Sequence, residues 1–131
     1  LRRYLTIFFL TVKNPTNYKN HPKTKLLAKV TRVIRERILQ NPQDPQFNLG
    51  NTLGKEYREY KRAKSGLPTR YRLFFRFNSF AHDIVILWMN DQFTLRKAGS
   101  KKDVYQTFLR MLRNGKVPQR WSTLMEESEK K

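Results

Sequence analysis

No cysteine occurs among the 131 residues, so neither a disulfide framework nor a thiolate metal site is open to this chain. Histidine is nearly as scarce. His21 sits beside Pro22 in a polar stretch and His82 at an expected turn, and both read as surface residues rather than ligands or bases. No apolar run approaches the roughly 20 residues a membrane-spanning helix needs. The opening LRRYLTIFFLTVKN lacks the small-residue cleavage site of a signal peptide. A Gly-rich phosphate loop, a nucleophile elbow, an HExxH pair and a histidine pair for acid–base cleavage of RNA are all missing. The expectation is a cytoplasmic protein with no metal, no cofactor and no membrane partner.

Acidic residues are also few, 10 against 28 Lys and Arg, which leaves a net charge of +18. Charge of that size says nothing about fold but favours polyanionic partners. It does not mean disorder, because Leu, Ile, Val and Phe supply 35 of the 131 residues, above the level at which charged chains stay unfolded. The length fits one domain over 1–131.

Apolar residues at Leu1, Leu5, Phe8, Phe9 and Val12 fall on one helical face, although Thr6, Ile7 and Thr11 favour a strand; the spacing predicts a helix here. Leu26, Leu27, Val30, Val33, Ile34 and Ile38 predict a second amphipathic helix of about 20 residues, ended by the prolines of NPQDP at 41–45. After a loop over 46–55, YREYKRAK and RYRLFFRFN read as strands joined by the five-residue turn SGLPT. A turn at Ser79–His82 leads to DIVILWMND, apolar on both faces and so a central strand. Ser100 and Asp103 resemble a capping box opening a helix through Leu112, closed at Gly115; a short amphipathic segment with Trp121, Leu124 and Met125 follows. The class is α+β, with N-terminal helices packed on a small antiparallel sheet and a C-terminal helix.

Strand alternation places Arg70, Arg72, Phe74 and Arg76 on one face of RYRLFFRFN, with the Phe74 ring expected to be exposed. Tyr60, Arg62 and Lys64 share a face of the neighbouring strand. Gathering cations on one sheet face is destabilising without an anion to hold, and rings interleaved with Arg and Lys suit single-stranded RNA, phosphates on the cations and bases on the rings. Cleavage by 2′-hydroxyl transfer needs a base, a stabiliser of phosphate charge and an acid. Arginine can stabilise charge but not act as base. Lys64, crowded by guanidiniums, is the candidate for a lowered pKa; Glu59 and Asp91 are alternative bases and Tyr105 an alternative acid. A non-catalytic RNA- or ribosome-binding module would share the basic face without an ordered constellation.

RYRLFFRFN, the long stretch from VILWMND to PQRWSTL, and TKLLAKVTRVI resemble the YhaV-type toxins of bacterial type II toxin–antitoxin systems, within the RelE superfamily. The similarity runs from about Tyr18 to Glu127. It implies a RelE-like fold, a messenger RNA endonuclease associated with the ribosome and inhibiting translation, and a hetero-oligomer with a PrlF-type antitoxin of AbrB-like fold. A gyrase-directed toxin, known on the same fold, ranks below this because the basic positions are filled. The resemblance assigns catalytic roles to Arg62, Lys64, Arg72 and Tyr105. It matches Asn90, Asp91, Arg96, Lys101 and Lys102 to family positions near the site, and with Tyr60, Arg70 and Arg76 from the basic strand faces these are the expected RNA contacts. Two departures stand out: the family's strand ahead of the first helix is missing from this reading, and SGLPT is slightly longer than in relatives.

Overall fold

The computed structural model describes residues 4–7, 22–78 and 83–117. A four-stranded sheet in the order β1-β4-β3-β2 organises them. Strand β1 (Tyr4–Ile7) pairs parallel with β4 (Asp83–Met89), matching Tyr4 to Asp83 and Ile7 to Ile86. Strands β2 (Lys61–Ala63), β3 (Leu73–Asn78) and β4 form an antiparallel meander. The class is α+β.

The first element corrects the sequence reading. Residues Tyr4–Ile7 form a strand, not part of a helix, so the edge strand expected to be missing is present. The 3.6-residue periodicity lost to strand propensity at Thr6 and Ile7 and to the open edge of β4, whose backbone groups need a partner. The sheet is therefore mixed rather than wholly antiparallel. The turn at Ser79–His82 and the segment with Trp121 lie outside the described residues.

Helix α1 (Pro22–Val33) runs directly into a π-helical turn over Ile34–Ile38. Val30, Val33, Ile34 and Ile38 are buried, while Lys25, Lys29, Arg32, Arg35 and Arg37 are exposed, the amphipathic division the spacing requires. That apolar face packs with Phe47, Ala63, Leu73, Phe75, Ile84 and Ile86 on one side of the sheet. Helix α2 (Val104–Arg113) covers the other side, where Val104, Phe108 and Leu112 meet Tyr60, Phe74, Val85 and Leu87. Both faces of β4 are thus covered, as its unbroken apolar run requires. Leu73 and Phe75 serve one core and Phe74 the other, and a bulge between Phe74 and Phe75 re-sets the pairing from Trp88 to Ile86.

Phe74 is not the exposed ring expected from alternation. It is fully buried, stacked on Phe108 at 4.1 Å and 13° and set edge-on to Tyr105 at 5.8 Å. Alternation assigns a side chain to a face; the second helix decides whether that face meets water. The turn SGLPT is also part of something longer. Lys64–Arg72 forms a nine-residue connection in which Gly66 (φ 89°) and Arg70 (φ 73°) take left-handed backbone conformations and break the ladder. Arg70 and Arg72 consequently belong to this loop and not to β3.

Candidate active site

Asp103 sets the start of α2. It is the N-cap, its Oδ2 accepting from Tyr105 N at 3.1 Å, whereas Ser100, expected to cap, accepts from Lys102 N in the preceding turn. The same carboxylate accepts from Lys97 N at 2.6 Å and pairs with Arg96 at 2.8 Å. Burial alone would raise the Asp103 pKa, but these hydrogen bonds and the Arg96 charge outweigh it and hold the group below its ordinary 3.8. Arg96 then lies over the Tyr105 ring, 4.9 Å from its centroid.

Capped in this way, the first turn of α2 presents Tyr105 with its ring buried against Phe74 and its hydroxyl towards two arginines. Arg62 Nε donates to Tyr105 Oη at 3.0 Å, and Arg72 Nε donates to the same oxygen at 3.1 Å. One phenol thus receives two charged donors from separate parts of the chain, strand β2 and the loop before β3. Arg62 is held further by Nη1 bonds to the carbonyls of Gln46 and Asn48 at 3.1 and 3.2 Å. Arg72 Nη1 is bound to Tyr71 O at 2.9 Å. Neither Nη2 has a protein partner among the described residues. Two accepted bonds also occupy both lone pairs of the phenol oxygen, so its proton is directed away from the arginines. The arrangement offers two guanidinium edges and one hydroxyl donor, a receptor for an oxyanion.

Sequence reasoning named Arg62, Arg72 and Tyr105 as candidates, and the structure brings the three side chains into contact. Lys64 is not brought in: it is exposed, one residue past β2, and the crowding expected around it is found around Tyr105 instead. Burial lowers the pKa of Lys61, which donates to Asn48 Oδ1 at 2.9 Å. Neither alternative base reaches the cluster. Glu59 pairs with Arg76 at 3.5 Å, and Asp91 accepts from Phe93 N and Thr94 Oγ1 to close a turn.

Two of the expected RNA contacts are interior. Tyr60 is fully buried between Tyr57 and Phe108, with Arg76 over its ring at 5.0 Å, so it offers no face to a base. Asn90, 2% exposed, is a clamp: its amide donates to Arg70 O and Thr94 O and accepts from Arg72 N at 2.9 Å. It positions Arg72 rather than substrate. Arg70, Lys101 and Lys102 are exposed on the loops beside the cluster. The carbonyls of Gln46 and Asn48 were not anticipated. The signal for them was NPQDP, whose last Pro opens a 3-10 turn over Pro45–Phe47 capped by Asp44.

A family model described as a toxin with endonuclease activity, of a toxin–antitoxin system, matches residues 6–129. The chain belongs to the YhaV toxin family. Among relatives, the ribonuclease toxin YhaV of Escherichia coli strain K12 is 45% identical over 118 residues, which cover 89% of this chain and 76% of that protein. Toxin YhaV of Escherichia coli O157:H7 has the same identity and coverage, and that of Escherichia coli O6:H1 is 44% identical over 118 residues. No solved structure matches the chain. As a YhaV-family toxin it is an endonuclease with an antitoxin as partner. Among its described residues no helix is long and apolar enough to cross a membrane, and no group of acidic or histidine side chains could hold a metal ion.

Proposed function

We propose that this toxin cleaves messenger RNA in the cytoplasm, on the ribosome, by transfer of a 2′-hydroxyl to the adjacent phosphorus, and that Arg62, Arg72 and Tyr105 do the chemistry. The observation that carries the reading is the convergence of both Nε atoms on Tyr105 Oη, at 3.0 and 3.1 Å, with both Nη2 groups left over. A phosphate seated there would meet the two Nη2 groups at its non-bridging oxygens, where charge builds as the 2′-oxygen attacks. As the 2′-oxygen bonds to phosphorus its proton leaves to solvent water, the bond from phosphorus to the 5′ oxygen breaks, that departing oxygen takes the outward-turned Tyr105 proton, and water re-protonates the phenolate. Products are a 2′,3′-cyclic phosphate and a 5′-hydroxyl. Lys64, exposed beyond β2, would hold a flanking phosphate, as would Arg70, Lys101 and Lys102.

The RelE-like arrangement is supported by the strand ahead of α1 and by the mixed order β1-β4-β3-β2. A PrlF-type antitoxin with an AbrB-like fold is the partner this reading calls for. Sequencing of RNA ends after incubation with purified toxin, with and without ribosomes, tests the proposal. New 5′-hydroxyl ends that vanish with Arg62→Ala support it, and RNA left intact in both incubations refutes it. A purely binding module would retain RNA without producing ends.

A further inference from the structure

Phe93 is the one large apolar side chain the described residues leave open to solvent, 71% exposed. Its backbone is fixed nonetheless. Phe93 N donates to Asp91 Oδ1 at 2.9 Å, Thr94 N donates to Asp91 O at 3.2 Å, and Asn90 Nδ2 holds Thr94 O at 2.8 Å. Asn90 is also the residue whose Oδ1 accepts from Arg72 N. The loop is stitched a second time by Arg96 N donating to Arg70 O at 2.9 Å. A protruding ring is therefore carried on a rigid loop tied to the arginine that faces the scissile phosphate. Exposed residues of the same loop include Asp91, Gln92 and Lys97, with the small Ala98 and the half-buried Leu95 as its apolar members, and Arg96 N ties it to the loop that carries the exposed Arg70.

We propose that Phe93 is a stacking platform for an unpaired nucleobase of the RNA next to the cleaved bond. This rests on the ribonuclease reading above and names how that site holds its substrate. An exposed aromatic ring on a loop that also carries exposed Lys97 and is tied to the loop of Arg70 suits single-stranded RNA, base on ring and phosphate on cation. A protein-docking anchor would sit inside an apolar patch, and the chain neighbours of Phe93 form none. Because the loop is pinned to Arg72, the stacked base is held in fixed register with the phosphate, so Phe93 contributes to where the strand is cut.

The test has two arms. Phe93→Ala should raise KM for RNA about 5- to 150-fold, the range of one lost base stack. Turnover at saturation should change less, with cleavage spread over more positions, and Phe93→Trp should restore both. In the second arm, uncleavable 2′-deoxy oligonucleotides carry 2-aminopurine at successive positions; quenching at one position should disappear in Phe93→Ala and persist in Phe93→Trp. An Ala variant with unchanged KM, cleavage pattern and quenching overturns the proposal, as does one whose only loss is affinity for the antitoxin. If the wild-type toxin left RNA intact, the ribonuclease reading would fail while the quenching arm still decided whether Phe93 stacks a base.

Discussion

Tyr105 and its two arginines depend on side chains that never meet solvent. Asn90 makes three hydrogen bonds from a 2% exposed position, one of them to the backbone N of Arg72. Asn90→Ala strands buried polar groups, and each unmet group costs about 1–3 kcal/mol. Thermal or urea unfolding should show a loss of at least about 2 kcal/mol, with slower RNA cleavage because Arg72 is no longer held. A variant of full stability and activity would show that the clamp does nothing. Strand alternation put Arg62 and Arg72 on basic faces and left Tyr105 as an alternative acid, while the family resemblance supplied their catalytic roles. Neither could separate Tyr60 and Asn90 from the surface. Their polarity suggests exposure, and only the packing of α2 on the sheet and the fold-back of the loop at Arg70 bury them.

Connections carry more of this structure than its short strands. The loop Lys64–Arg72 turns at Gly66, whose φ of 89° is left-handed and where an added Cβ would lie 2.9 Å from Val33 Cγ2 and 3.2 Å from Arg37 Nε. Gly115, which ends α2 with φ 78°, has open space around it, and Val117 N returns to Met111 O. Alanine at either glycine should cost stability by the roughly 1–2 kcal/mol of left-handed strain it introduces. Gly66→Ala should lose more, because α1 must also give way. Equal melting shifts for the two would remove the steric part of the argument.

At the head of α2, the depressed pKa of Asp103 means the folded state binds its proton more weakly than the unfolded chain does. Its stabilisation is complete above the unfolded value near 3.8 and drains away as pH falls through the lower folded value. Unfolding free energy should therefore fall below pH 4 in the parent and change less there in Asp103→Asn; identical acid profiles would contradict this. Helix α1 was legible from its clean 3.6-residue period and β4 from its unbroken apolar run. Strand β1 was not, since four residues in a helical spacing were decided by pairing with β4.

Over the whole molecule, the net charge of +18 separates into parts with different work. One group lines the outer face of α1. Arg76 and Arg96 are engaged by Glu59 and Asp103. On the proposed reading, Arg62, Lys64, Arg70, Arg72, Lys101 and Lys102 are the cations that meet RNA. At about −0.7 per phosphate contact, six of them give a slope near −4 for log affinity against log salt. A slope near −1 would make most of this charge solvated surface.

If the Arg62–Arg72–Tyr105 cluster performs the cleavage, single-turnover cutting of a defined RNA by Tyr105→Phe registers the loss of one hydroxyl. Removing one hydroxyl takes away the proton donor and the oxygen that orients both guanidiniums, while leaving the ring packed on Phe74. The rate should fall about 100- to 10,000-fold with little change in RNA affinity or melting temperature. A Tyr105→Phe toxin that cut RNA at the parent rate would contradict the account.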